Sequence, residues 1–207
     1  MKVLSVKKLQ PFENPIDHFR AWFETACEQT ELKYPNAMCL STVDENDRPV
    51  SRMVLLKSYD NDGFVFFTNK ESRKGQNLAI SPYAALCFYW QVLGWQVRIE
   101  GEVLSVSDEE ADNYFSTRPR GSQIGAWASQ QSKPMLSRYE LEKNVGKYMT
   151  KFHVKKIPRP EFWSGYRVCP ERIEFWQEGK YRLHDRLVYK KTVFDKLTAW
   201  KTEWLFP

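Results

Sequence analysis

The sequence predicts an α+β fold in which short antiparallel strands form a β-barrel and two or three helices are inserted between them. Three observations carry this reading. From Ala37 to Gly101 the chain runs in short segments rich in β-branched and aromatic residues, broken by the turn signals DENDRP and YDNDG. Helix-capping signals frame that region, at Asn14 before it and at Ser107 and Ser137 after it. No strand leads through GxGxxG into a helix, and no GxxxxGK[ST] occurs, which disfavours a parallel dinucleotide-binding sheet and a phosphate loop.

Asn14 can cap a helix with Pro15 at its first position, and Ile16, Phe19, Phe23 and Ala26 then recur at helical spacing over about three turns. Residues 1–13 lack such a period and are expected to form an N-terminal arm, free or added as a strand to a partner. Residues 14–207 are expected to be a single domain, since 42% hydrophobic content with 15% aromatics can fill one core. The clearest strand is WQVRIEG, where Trp95, Val97 and Ile99 alternate with Gln96, Arg98 and Glu100. Ser107 with Glu110 makes a capping box for a helix through Tyr114 and Phe115 that should stop before Pro119. Ser137 with Glu140 repeats the device for a helix over roughly Arg138 to Met149, followed by an extended KKIPRPEFW. Two last strands are expected near Gly165 to Trp176 and Tyr181 to Tyr189, joined by the turn QEGK.

Composition narrows the function. The longest near-apolar runs, such as Ala84 to Trp90, are too short for a bilayer, and MKVLSVKKLQ has no apolar signal core, so no membrane association and a cytoplasmic location are expected. Cys27, Cys39, Cys87 and Cys169 lie far apart, and His18, His153 and His184 are scattered, so neither disulfides nor a metal site are expected. A net charge of +5 from 31 basic and 26 acidic residues, without runs of like charge, fits localised anion pockets better than nucleic-acid binding.

Several constellations could hold an anion. Tyr114 and Arg118 are four apart on one helix face with Ser122 a short loop later, and a phenol, a guanidinium and a hydroxyl can surround a phosphate. Ordinary surface polarity would give the same pattern. Arg52 and Lys57 bracket an apolar strand and should face opposite ways. Arg73 and Lys74 fall in a loop or helix start, where free N–H groups also favour an anion, though such pairs usually face solvent. In YRLHDRLVY, strand alternation puts Arg182, His184 and Arg186 on one face, with Tyr181, Leu183, Leu187 and Tyr189 on the core face. A solvated outer strand face is the plain alternative.

SRMVLLK, FFTNKESRKG, YFSTRPRGSQIGAWAS, QQS and IEFWQ followed by RLHDR resemble the pyridoxine 5'-phosphate oxidase family in order and in gaps, from about Asn14 to Tyr189. The resemblance implies an FMN-binding split β-barrel, antiparallel and Greek-key-like with flanking helices, in a homodimer with FMN at the subunit interface. It implies that Arg52, Met53, Val54, Leu55, Phe67 and Thr68 border FMN, that Arg73 and Lys74 reach its phosphate, and that Gln96, Gln131, Ser132, Trp176 and Arg186 complete the flavin site. Lys57, Tyr114, Arg118 and Ser122 would surround the substrate phosphate, and Arg182, Leu183 and His184 would contact its pyridine, with Arg182 and His184 nearest the chemistry. The implied reaction oxidises pyridoxine 5'-phosphate or pyridoxamine 5'-phosphate to pyridoxal 5'-phosphate, with O2 as acceptor and H2O2 as product. The alternatives are a related split-barrel flavoprotein with another substrate, such as a phenazine precursor, and a non-catalytic FMN or pyridoxal-phosphate binder. Trp95 and Trp204 stand where this family commonly has arginines, and the arm before Asn14 lacks a basic, tyrosine-containing segment.

Overall fold

The computed structural model describes residues 9–194 and 197–207. Nine strands form one curled antiparallel sheet among these residues: β1 (Ala37–Val43), β2 (Pro49–Leu55), β3 (Ser58–Asp60), β4 (Gly63–Asn69), β5 (Tyr83–Trp90), β6 (Trp95–Ser105), β7 (Trp163–Gln177), β8 (Asp185–Phe194) and β9 (Leu197–Trp204). The order β2-β1-β5-β6-β7-β4-β3 makes a half-barrel, from which β8 and β9 continue as a hairpin off β7. Five helices accompany it: α1 (Pro15–Cys27), α2 (Arg73–Ile80), α3 (Asp108–Thr117), α4 (Arg120–Ala128) and α5 (Arg138–Phe152).

Alternation decides which side of the sheet is core. Val97 and Ile99 of β6 are fully buried and lie opposite Phe175 and Ile173 of β7. Gln96, Arg98 and Glu100 take the other face, as the sequence pattern requires. At Glu100/Gly101 the register slips by a β-bulge, and a Cβ on Gly101 would stand 1.9 Å from the Cys169 carbonyl oxygen. Only glycine permits that approach.

Helix α1 is capped as expected, the Asn14 side chain accepting the Ile16 N–H. It buries Ile16, Phe19, Trp22 and Ala26 on the inner face of the sheet, whereas Phe23, expected in that row, is only partly buried. Phe19 meets Phe64 at 4.9 Å and Phe88 at 5.2 Å between ring centroids. Full burial of such a ring contributes about 2–3 kcal/mol. Residues 1–8 of the expected arm lie outside the described residues, but Leu9 is buried and Phe12 is tied down, its N–H donating to the Tyr189 hydroxyl at 2.8 Å and its ring stacking on His18. This end of the segment packs on its own chain.

A second apolar cluster of Phe115, Ile124, Phe152, Ile157 and Trp163 joins α3, α4 and α5 to the start of β7. Here the sequence expectations need correction. Ser107 accepts the Glu110 N–H and caps α3 as expected, but Ser137 makes no side-chain cap; Glu140 instead accepts the Leu136 N–H. Helix α4, expected as a loop, follows a proline and buries Gln123, Ile124 and Ala128. The last strands also differ: residues 181–184 are a turn, β8 starts only at Asp185, and β9 was not anticipated. Tyr181 and Leu183, expected on the core face, are 92% and 69% exposed.

Candidate active site

A cavity of about 690 Å³, within the range of small-molecule sites, lies between the end of β2, the end of β4 and helices α3 and α4. Its apolar wall is built from Met53, Val54 and Leu55 with a ring stack. Phe67 lies 4.1 Å from Tyr114 and 5.4 Å from Trp163 between centroids, all three nearly parallel. The stack forms because β4 and β7 pair Phe67 with Gly165, two residues beyond Trp163, and α3 lays Tyr114 over them.

Lys57, Tyr114, Arg118 and Ser122 also line the cavity. Arg118 is not on the helix face proposed from spacing; it is the C-cap of α3 with extended backbone, and it reaches the same cavity from there. Its guanidinium lies over Trp163 at 4.7 Å and near Phe115 at 5.7 Å. Burial pushes its pKa below the ordinary arginine range, and its Nη1 is buried without a hydrogen-bond partner among the described residues. A buried guanidinium donor left open is costly, so a ligand oxygen is the natural complement. Pro119 and Ser122, at an α4 N-terminus that lacks a side-chain cap, also line the cavity.

A second group of cations sits where α2 begins. Lys74 is buried, and its ammonium donates to Thr68 Oγ1 at 3.1 Å, Ser72 Oγ at 3.0 Å and Gln131 Oε1 at 3.3 Å. These are neutral oxygens, and burial together with the nearby Arg52 charge lowers the Lys74 pKa to about 8. Arg52 is pinned by Leu40 O and Thr42 Oγ1, with its own pKa lowered by burial and by Arg73. Arg73 is exposed and bonded to Asp44. Arg52 thus lies near both Arg73 and Lys74, with Asp44 as the carboxylate paired to Arg73, and such a cluster favours a further anion.

Thus Met53, Val54, Leu55, Phe67, Thr68, Lys74 and Gln131, with Lys57, Tyr114, Arg118 and Ser122, line one cavity, while Arg52 and Arg73 do not line it and lie near it beside Lys74. The remaining expected residues do not line it. Gln96, Trp176 and Arg186 lie side by side across β6, β7 and β8, and the His184 ring sits 4.6 Å from Trp176. Arg186 is held by Glu174 at 2.8 Å and by the Phe206 carbonyl at 3.1 Å. Arg182 and Leu183 are exposed on the turn before β8, and Ser132 is exposed next to Gln131. Trp163 and Asn69 line the cavity and were not singled out in the sequence; Trp163 could have been found only through its neighbours, because a tryptophan at a strand start reads as core. Trp95 stacks on Trp22 of α1 at 4.4 Å between ring centroids.

No helix among the described residues is long and apolar enough to cross a membrane, and none of their His, Cys, Asp and Glu side chains group as a metal site. Residues 25–151 match the family model described as pyridoxamine 5'-phosphate oxidase, and residues 163–207 match the pyridoxine 5'-phosphate oxidase C-terminal dimerisation region. The pyridoxine/pyridoxamine 5'-phosphate oxidase of Myxococcus xanthus strain DK1622 is 52% identical over 94% of this chain and 92% of its own length. That of Agrobacterium fabrum is 50% identical over 93% and 92%. Among solved structures, PhzG from Burkholderia lata 383 in complex with tetrahydrophenazine-1-carboxylic acid superposes with a TM-score of 0.88 at 31% identity, covering 96% of this chain and 95% of that one. An FMN binding protein from Nostoc punctiforme, at TM-score 0.70 and 17% identity over 97% and 100%, shares the fold. The chain belongs to the pyridoxine/pyridoxamine 5'-phosphate oxidase family of oxidoreductases.

Proposed function

We propose that the chain is an FMN-dependent oxidase that converts pyridoxine 5'-phosphate, or pyridoxamine 5'-phosphate with uptake of water and release of ammonia, into pyridoxal 5'-phosphate and passes the electrons to O2, giving H2O2. The observation that carries this reading is the buried, unpartnered Arg118 Nη1 in a cavity that also presents Lys57, Tyr114 and Ser122. Four groups able to hold phosphate favour a phosphorylated substrate over the unphosphorylated phenazine seen in the PhzG neighbour.

The donor set also fits a phosphorylated flavin. Arg52, Arg73 and Lys74 would hold the FMN phosphate, with Thr68 and Gln131 orienting the Lys74 ammonium. FMN, when bound, supplies the acceptor for the hydride equivalent that leaves the substrate's 4' carbon. The protein's part is placement. Lys57, Tyr114, Arg118 and Ser122 fix the substrate phosphate, and the Phe67 and Tyr114 rings wall the space beside it. Arg182 and His184 would orient the pyridine, and Gln96, Trp176 and Arg186 would face the flavin.

Because these last residues do not line the cavity of their own chain, the reading requires a homodimer in which one protomer supplies the cavity and its partner the β7–β8 turn. The match of residues 163–207 to a dimerisation region supports this arrangement. The test is peroxide release: purified protein supplied with FMN and pyridoxine 5'-phosphate in air should form H2O2 and pyridoxal 5'-phosphate in equal amounts. Bound flavin with no peroxide would reduce the chain to a binder.

A further inference from the structure

The turn between β7 and β8 holds an unusual backbone. Tyr181 and Arg182 both lie in the left-handed region, at φ 56° and 63°, which side chains other than glycine seldom adopt, least of all twice in succession. Both side chains are exposed, so burial of these residues does not hold the conformation. The turn is fixed from its ends. Glu178 N–H donates to Gly94 O at 2.8 Å, Leu183 N–H donates to Lys180 O at 3.0 Å, and Gly179 N–H donates to His184 Nδ1 at 3.2 Å. The ends meet so closely that a Cβ on Gly179 would stand 1.9 Å from the Leu183 carbonyl oxygen. The His184 ring is braced in turn against Trp176 of β7.

We propose that His184 is a positioning residue whose Nδ1, by accepting the Gly179 N–H, latches the left-handed turn that presents Arg182. The proposal rests on the substrate-facing role of Arg182 given above. Acceptance at Nδ1 requires a lone pair there, so the neutral ring carries its proton on Nε2. In that state the ring has an N–H to offer a substrate oxygen and no free lone pair with which to remove a proton. His184 therefore serves the reaction by holding the turn and by donation, and no proton abstraction is assigned to it.

Four variants of the FMN-loaded, full-length protein test this: His184→Asn, His184→Gln, His184→Ala and Arg182→Ala. Asparagine Oδ1 stands as many bonds from the backbone as histidine Nδ1 and restores the acceptor, while the glutamine amide reaches toward the Nε2 position. Hydrogen exchange of the Gly179 amide should be slow in the wild type and in His184→Asn, and about tenfold or more faster in the Ala and Gln variants. KM for pyridoxine 5'-phosphate should rise most in His184→Ala, which loses both the latch and the ring's donation, and by a factor at least about threefold smaller in His184→Asn, which loses the donation alone. Nitrogen-15 shifts of the wild-type ring should report a bare Nδ1 and a protonated Nε2. A His184→Asn variant whose KM rises as far as that of His184→Ala and whose Gly179 amide exchanges as fast, or a protonated Nδ1, overturns the latch. An unimpaired Arg182→Ala would overturn the role of Arg182, and the Gly179 exchange pattern would still decide the latch by itself.

Discussion

Replacing Arg118 with Met separates what the anion site costs from what it does. The guanidinium packs over Trp163 and Phe115, contacts that contribute about 0.5–2 kcal/mol. Against this, the buried Nη1 without a partner costs about 1–3 kcal/mol. Methionine ends near the Arg118 Nε position, replaces the apolar stem and removes the open donor. Without ligand, the variant should therefore be as stable as the wild type or up to about 2 kcal/mol more stable. With pyridoxal 5'-phosphate at a hundred times its Kd, the wild type should gain about 2.7 kcal/mol. For a chain of this size that raises Tm by about 5–11 °C, and at the same ligand concentration the variant should show little of this shift. Calorimetry of the FMN-loaded proteins with and without ligand makes the comparison. A variant destabilised by more than about 1 kcal/mol without ligand, or one that keeps the full ligand shift, would refute the reasoning.

Lys74, with its pKa lowered to about 8, should lose its charge as pH rises through that value, so FMN affinity measured by flavin fluorescence should fall between about pH 7 and 9.5, a dependence that Lys74→Met abolishes. The unfolded chain keeps the Lys74 proton to near its ordinary 10.5, so ligand-free stability should rise over the window from about 8 to 10.5, and a flat profile there would contradict the burial argument. His18, stacked on Phe175 at 3.8 Å, has its pKa lowered by burial to about 4 against an ordinary 6.5. The stability that neutral His18 contributes is then fully present above about pH 6.5 and is lost as pH falls toward 4, by up to about 3 kcal/mol; denaturant titrations of His18→Gln should show this acid limb flattened. Mixing equal amounts of Arg118→Met and Arg182→Ala, each impaired in kcat/KM, should restore about a quarter of wild-type turnover at low substrate, because half of a random mixture is heterodimer with one intact site of two. No recovery after subunit exchange would mean that both residues act within one chain.

Local signals were legible wherever a residue's own chemistry set its geometry. Asn14 with Pro15 and Ser107 with Glu110 start α1 and α3 because a short side-chain oxygen can take a free N–H there, and WQVRIEG shows its strand by alternation alone. Helix α4 was hidden by two glycines and a preceding proline, which read as loop; its buried Ile124 and Ala128, four apart, were the remaining trace. The cationic strand expected from YRLHDRLVY failed because Tyr181 and Arg182 are left-handed, a state that an alternation pattern does not encode. At the site, Lys57, Tyr114, Arg118 and Ser122, expected around one substrate phosphate, line one cavity, but their spacing did not show that Arg118 reaches it from a helix cap. The division of the expected flavin residues between this cavity and the β6–β7–β8 face depends on sheet topology. No local pattern records it.

The central claim, that this cavity and its cations serve flavin-dependent oxidation of a phosphorylated pyridine, is tested most directly by the visible spectrum under anaerobic conditions. The FMN-loaded protein should lose its flavin absorbance on addition of pyridoxine 5'-phosphate and recover it when air is admitted. Full retention of the oxidised flavin spectrum with saturating pyridoxine 5'-phosphate and with pyridoxamine 5'-phosphate would contradict it.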